Sequence, residues 1–292
     1  QAWLFLIGGI ALFGFYFWLI KEYGDDLLPP SASLHGEDVD SLMNFNLWVI
    51  NIAWVIVQIL LFYFAWKYYY RPGAKAVFFP HSNKLEMIWT IVPASFLAII
   101  IIYGLKTWNE IVAEPEEEPI VIELYAKQFD WTARYAGKDN ILGEASVRRI
   151  NGANFLGIDS ADVHAKDDKI VKGEFHLPVG RPVKFIIRSQ DVIHSAYMPH
   201  FRAQMNAVPG MKTSINFIPT VTTEEMRKMT KNPDFDYILL CNKICGASHY
   251  NMQMDIIVES EDKFNDWLNQ QKEFISTSTV ELENKSSKIK NL

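Results

Sequence analysis

The run Cys241-Asn242-Lys243-Ile244-Cys245-Gly246-Ala247-Ser248-His249-Tyr250-Asn251-Met252 holds both cysteines of this 292-residue chain. It gathers two thiols, an imidazole and a thioether on one short loop, and a further imidazole lies upstream in Asp191-Val192-Ile193-His194. Soft sulfur combined with imidazole is the donor set that copper favours, and two closely spaced thiolates can bridge a metal pair. Structural zinc prefers Cys and His in paired clusters and makes little use of methionine. A disulfide between Cys241 and Cys245 suits an oxidising compartment, yet it leaves His249 and Met252 with no reason for their spacing. The run points to an electron-transfer site.

The remainder of the chain says where such a site is held. Hydrophobic residues make up 49% of the sequence and aromatic residues 14%, with a net charge of −6. Mean hydropathy is nevertheless near zero, so the apolar residues must be segregated from a polar remainder. Residues 1–20, 41–66 and 87–105 carry no charged side chain. Each run is long enough for a helix to cross a hydrocarbon core of about 30 Å. Lys67, Arg71, Lys75 and Lys84 join the second and third runs without an acid among them, whereas Glu22, Asp25, Asp26, Glu37, Asp38 and Asp40 crowd the first connection. The positive-inside rule therefore places residues 71–84 and the N-terminus in the cytoplasm, and the first connection and everything past the third run outside. Trp66, Tyr68, Tyr69, Tyr70 and Trp108 stand where interfacial aromatic belts are expected. The first run lacks the basic start of a signal peptide and reads as a spanning helix.

Prolines in the acidic linker Glu114-Pro115-Glu116-Glu117-Glu118-Pro119 stop the third helix. Beyond it, period-two runs predict strands over 120–125, 129–135, 170–177, 183–189, 213–218, 237–241 and 254–259, while residues 137–169 read as a long loop. Many short strands between Pro, Gly and Asn turns imply a sandwich or small barrel. The expected organisation is a helix over 1–20, an acidic outer loop over 21–40 and a helix over 41–70. A basic cytoplasmic loop over 71–84 and a helix over 85–112 follow, then a β-domain over 113–260, an amphipathic helix over 261–274 and a flexible tail over 275–292. The chain has no CxxCH motif for haem attachment. Its acidic balance, with the basic residues at the membrane face, argues against nucleic-acid binding.

The pattern CxxxCxxxHxxM formed by Cys241, Cys245, His249 and Met252 resembles the binuclear copper (CuA) loop of cytochrome c oxidase subunit II, and His194 resembles the histidine that the family supplies from an earlier strand end. Leu85-Glu86-Met87-Ile88-Trp89-Thr90-Ile91-Val92-Pro93 is similar to the start of the family's second membrane helix. Gln128-Phe129-Asp130-Trp131 is similar to its aromatic segment, and Ala207-Val208-Pro209-Gly210 to a loop between its copper-domain strands. The likeness covers residues 40–260. It implies a membrane-anchored all-β protein, a cupredoxin-like Greek-key β-barrel preceded by transmembrane α-helices, on the periplasmic side of a bacterial inner membrane or an equivalent respiratory membrane. The first helix is additional to the family's usual hairpin.

The resemblance also implies a site and a role. Cys241 and Cys245 would bridge two copper ions, His194 and His249 would each cap one, and Met252 and the backbone carbonyl of Lys243 would be weak ligands. Electrons would pass from cytochrome c through this subunit to haem a in subunit I, where oxygen is reduced to water with proton pumping. Subunits I and III and membrane lipid are the implied neighbours. Glu86 matches the carboxylate at the mouth of a proton-uptake path, although a carboxylate at a helix N-terminus also suits the helix dipole. A membrane-anchored copper-delivery protein is the alternative, since it could carry CxxxC with a distant histidine. That type has a thioredoxin-like βαβ pattern and no HxxM after its second cysteine.

Departures from the family pattern concern the surroundings of the copper loop. Lys243 stands where the family has a magnesium-binding glutamate, and an ammonium has no lone pair to offer. Magnesium is therefore expected to be absent from the border with subunit I or to be held by subunit I alone. Phe129 stands where the family has the tryptophan at which electrons enter and keeps its apolar contact, and Gln190 and Asn206 stand where docking acids often occur, leaving Phe129, Trp131 and Asp191 as the electron-entry and docking residues. A tethered or fused cytochrome c domain, which depends less on electrostatic steering, is the expected donor. Met198, His200 and Met205 are read as packing or docking residues.

Overall fold

The computed structural model describes residues 2–24, 27–152 and 154–274. Two compact units emerge, one made of residues up to 30 together with 38–109, the other of residues 31–37 together with those from 110 onward. The expected tail over 275–292 lies outside the described residues.

In the first unit, α1 (Ala2–Tyr23), α2 (Gly36–Lys67) and α3 (Asn83–Val112) are each long and apolar enough to cross a membrane. Even α1, with 22 residues, reaches about 33 Å at a helical rise of 1.5 Å. The helices run beyond the charge-free stretches because a helical backbone does not end where apolarity ends; α2 begins within the acidic connection, not at residue 41. α1 lies along α2, with Trp3 against Trp66 at 5.9 Å and Tyr16 against Trp54 at 4.4 Å between ring centroids. The Tyr16 hydroxyl donates to Asn51 Oδ1, satisfying both polar groups within an apolar segment. Gly9 makes the approach possible, since a Cβ there would lie 2.9 Å from the Phe62 ring.

The second unit is a sandwich of two five-stranded sheets. The strands are β1 (Ile120–Lys127), β2 (Asp130–Tyr135), β3 (Lys169–Val171), β4 (Glu174–Pro178), β5 (Val183–Ser189), β6 (His194–Met198), β7 (Ala203–Ala207), β8 (Thr213–Phe217), β9 (Tyr237–Cys241) and β10 (Gln253–Glu259). One sheet runs β3-β2-β1-β5-β8 and the other β4-β10-β9-β6-β7. Inward residues such as Ile122, Leu124, Phe175, Phe185, Leu239 and Ile256 are fully buried between them, as period-two alternation requires. The run predicted as one strand over 170–177 is two, because Gly173 takes φ +85° and the chain changes sheet there. β6 and β7 carry little alternation of hydrophobicity, and sequence reading passed over them.

Residues 137–169 fold back across the outer face of the first sheet, which buries Glu123 and Tyr125 of β1 as well as its inward side chains. Two short helices follow: α4 (Thr223–Thr230), with a Thr222–Glu225 capping box, and α5 (Glu261–Gln270). Phe264 and Trp267 of α5 pack on Tyr135, and Trp267 stacks on His176 at 4.0 Å.

Residues 31–37, assigned by sequence to an outer loop, belong to this sandwich. Ala32 N–H donates to the His200 carbonyl (2.8 Å), Leu34 N–H to that of Ile218 (3.0 Å), and Thr220 N–H to that of Ala32 (2.9 Å). The Ser33 hydroxyl donates to the Phe201 carbonyl at 2.7 Å, and Ala32 and Ser33 are buried. Backbone groups that a loop would have left to water are thus paired with the sandwich. The α1–α2 connection and the β-domain must accordingly share one side of the membrane, in agreement with the charge asymmetry.

Candidate metal centre

β9 ends at Cys241, and the loop to β10 carries Cys245, His249 and Met252 before β10 begins at Gln253. Cys241 N–H donates to the Met252 carbonyl at 3.0 Å, which closes the base of the loop. β6 pairs with β9 in the register Ala196–Cys241, and Asn242 N–H donates to the Ser195 carbonyl at 3.1 Å. Ladder geometry thereby brings His194, at the first position of β6, alongside the cysteine loop.

The resulting cluster has a paired form. Cys241 Sγ lies 3.7 Å from His194 Nδ1, Cys245 Sγ lies 3.6 Å from His249 Nδ1, and the two sulfurs are 3.8 Å apart. Met252 Sδ stands 3.8 Å from Cys245 Sγ, and the Lys243 carbonyl oxygen 3.2 Å from Cys241 Sγ. Both cysteines are free thiols, and His194, Cys241 and Cys245 are all buried, with ligand atoms within 4.8 Å of one another. Burial, and then the neighbouring Cys241 thiol, push Cys245 up to about 11. A metal must displace that proton to bind. Donors of this softness, converging without a disulfide, fit copper.

Asp191 supports His194 from behind. Its Oδ1 lies 2.9 Å from His194 Nε2 and accepts from Val192 N–H at 2.7 Å, while Oδ2 accepts from Gln128 N–H at 2.8 Å. Burial raises the Asp191 carboxyl, but these donors outweigh it and hold it below its ordinary value. A carboxylate fixed on Nε2 leaves Nδ1 as the ligating nitrogen.

One expected docking residue lies inside the fold: Trp131 is 0% exposed and packs against His194 with ring centroids 6.2 Å apart, so it cannot touch a docked protein. Asp191 is exposed, with its carboxylate engaged by Gln128 N–H, Val192 N–H and the His194 ring. Phe129 is partly buried against Gly246, where a Cβ would lie 2.8 Å from its ring. The Lys243 side chain is exposed, as are Ile244 and Tyr250 on the same loop. Glu86 lies in the first turn of α3, its Oε1 3.4 Å from Ser82 N–H. Met198 is buried, and His200 packs between Phe235 and Tyr237. Sequence reading gave no role to Gln128 or Gly246; only the glycine's place directly after the second cysteine hinted at one.

Residues 22–107 match the family "Cytochrome C oxidase subunit II, transmembrane domain", and residues 120–261 match "Cytochrome C oxidase subunit II, periplasmic domain". The alternative cytochrome c oxidase subunit 2 of Bradyrhizobium diazoefficiens is 34% identical over 241 residues, 82% of either chain. Cytochrome c oxidase subunit 2 of Thermostichus vulcanus is 26% identical over 299 residues, 94% of this chain and 86% of that one. A crystal structure of the periplasmic domain of cytochrome oxidase subunit II from Bradyrhizobium japonicum is 21% identical, covering 55% of this chain and 95% of that one with a TM-score of 0.35. With its apolar helices, its periplasmic cupredoxin-like sandwich and a His/Cys/Cys/Met cluster resembling a copper centre, the chain belongs to the cytochrome c oxidase subunit II family and serves electron transfer within an oxidase complex.

Proposed function

We propose that the cluster holds a binuclear copper (CuA) centre with which this subunit takes electrons from cytochrome c and delivers them to haem a of subunit I, for reduction of oxygen to water coupled to proton pumping. The observation that carries this reading is the duplicated pairing of thiol with imidazole, Cys241 with His194 at 3.7 Å and Cys245 with His249 at 3.6 Å, about a sulfur–sulfur separation of 3.8 Å. Cys241 and Cys245 would bridge the metals, His194 and His249 would bind one each, and Met252 and the Lys243 carbonyl would be weak ligands. When bound, such a pair supplies one-electron transfer with little change in its bonds. The chain's own residues fix His194 and Cys241 on paired strands and the other donors on the loop between β9 and β10, keep His194 and Met252 from water, and supply two thiolates that offset the metals' charge. The test is spectroscopy of the intact purified oxidase. A near-infrared band, the multi-line paramagnetic signal of a mixed-valence pair and copper in pair stoichiometry are expected; zinc or a disulfide in their place overturns the reading.

The surroundings support a modified setting. Gln190 and Asn206 carry no charge where docking acids are expected, so a tethered or fused cytochrome c domain is the favoured donor. Turnover with it should vary little with ionic strength, and a steep dependence would refute this. The exposed Lys243, Ile244 and Tyr250 give the copper loop a face toward subunit I, with magnesium absent there or held by subunit I alone. Magnesium bound stoichiometrically through this subunit would refute that. Subunit III and lipid complete the surroundings of the helices. Glu86 serves proton uptake in this reading, so Glu86→Gln should slow turnover without altering the copper spectrum.

A further inference from the structure

We propose that Gln128 is a positioning residue that braces the two ligand-bearing segments against each other; this rests on the copper reading above. His194 and Cys245 lie on separate stretches of chain; the two thiols touch at 3.8 Å, and Cys241 N–H donates to the Met252 carbonyl at 3.0 Å at the base of the loop. The β1–β2 turn supplies a further link through one residue. The Gln128 side-chain amide Nε2 donates to the Cys245 carbonyl, while its peptide N–H donates to Asp191 Oδ2 at 2.8 Å. Asp191 in turn holds His194 Nε2 at 2.9 Å. The path from imidazole to carboxylate to Gln128 to the Cys245 carbonyl is therefore closed by hydrogen bonds, independently of any metal.

Two further observations show that the turn is fitted to the loop. Gln190 N–H donates to the Ala126 carbonyl at 2.9 Å, fastening the end of β1 to the segment that carries Asp191. Gly246 takes φ +146°, and a Cβ there would lie 2.8 Å from the Phe129 ring and 2.9 Å from Gln128 Nε2. A glycine at that point lets the turn lie flat against the chain that leaves Cys245. Held at its carbonyl, Cys245 keeps its sulfur 3.6 Å from His249 Nδ1 and 3.8 Å from Met252 Sδ. Removing the donor frees that peptide, and the chain at Cys245 is no longer fastened to the segment that carries Asp191 and His194.

The test is Gln128→Met in the intact oxidase, which keeps the side chain's length and removes its donor. Copper affinity should fall about tenfold, as when a partner of a metal ligand is lost. The paramagnetic splitting should change and the reduction potential should shift. Thermal unfolding of the metal-free subunit should stay as in the wild type. Gly246→Ala, which displaces the turn while leaving Gln128 in the sequence, should perturb the spectrum and potential in the same manner and serves if Gln128→Met does not assemble. Wild-type spectrum, potential and copper retention in either variant overturn the brace, whether or not unfolding is affected. A wild-type oxidase without the copper-pair signals refutes the copper reading itself, so the two failures are distinguishable.

Discussion

Two buried polar clusters sit in the same sandwich, and they differ in how their groups are satisfied. Beneath the 137–169 loop, Glu123 contacts both Arg134 (2.7 Å) and Arg188, and Arg134 continues to Asp168 at 3.0 Å. Backbone groups complete that cluster: Arg134 donates to the Gly143 carbonyl, Gly143 N–H donates to Asp168, and Arg188 donates to the Leu156 carbonyl. Charges there neutralise one another, and the group clamps a loop to a sheet. At the β9–β10 end, by contrast, thiols, imidazoles and a thioether face one another with no charge balance and no strong hydrogen bond between them. Such mutual contact at 3.6–3.8 Å is poor hydrogen bonding and good ligand geometry. A closed cluster is architecture, and an open one made of soft donors is a site.

That contrast can be broken from either side. The largest effect is expected from Cys245→Ser in the intact oxidase, which should abolish the near-infrared band and turnover while leaving the metal-free subunit's unfolding within about 1 kcal/mol of wild type. Glu123→Gln should do the reverse. Leaving two guanidinium groups short of a buried partner should cost about 3–5 kcal/mol in denaturant unfolding, with the copper spectrum retained. Its pH dependence has a defined sign. Burial raises the Glu123 carboxyl, but Arg134 and Arg188 pull it below 4.5, so its contribution is full above pH 4.5 and is lost as pH falls further. Asp168 runs the other way: burial lifts it from 3.8 to about 7 against the pull of Arg134, so its contribution fades as pH rises across that interval. Asp168→Asn should remove that decline from stability measured between pH 4 and pH 8.

Smaller effects sharpen the boundary between site and support. Asp191→Asn should weaken copper binding about 10- to 100-fold, measured by competition with a chelator, because His194 loses its carboxylate. Gly246→Ala should cost about 1–3 kcal/mol in unfolding of the metal-free subunit through backbone strain. Equal stability of wild type and the glycine variant would mean that the turn and the loop are less closely fitted than their contacts imply.

Much of this was legible in the sequence because the relevant signals are local. Three charge-free runs specified three membrane-length helices, and alternation located most strands. The ligand loop could be read since four of its donors fall within twelve consecutive positions, Cys241 to Met252. What escaped was held by non-local pairing. β6 and β7 show little alternation of hydrophobicity and become strands by register with β9 and with each other. Gln128 is an ordinary polar residue until the Cys245 carbonyl lies beside it. Trp131 read as a surface aromatic because nothing in a sequence distinguishes an indole facing a partner from one facing a buried histidine.

Residues 31–37 carry a consequence for biogenesis. They leave the ribosome well before the strands that receive them, yet their backbone partners lie at residues 200–201 and 218–220. The segment must therefore cross the membrane early and wait, unpaired, until most of the sandwich has been exported after it. Completion of the domain is then conditional on correct insertion of the first two helices. A chain threaded with its first connection on the wrong side lacks an edge of its own fold, and the error is registered in the very domain that carries the metal site.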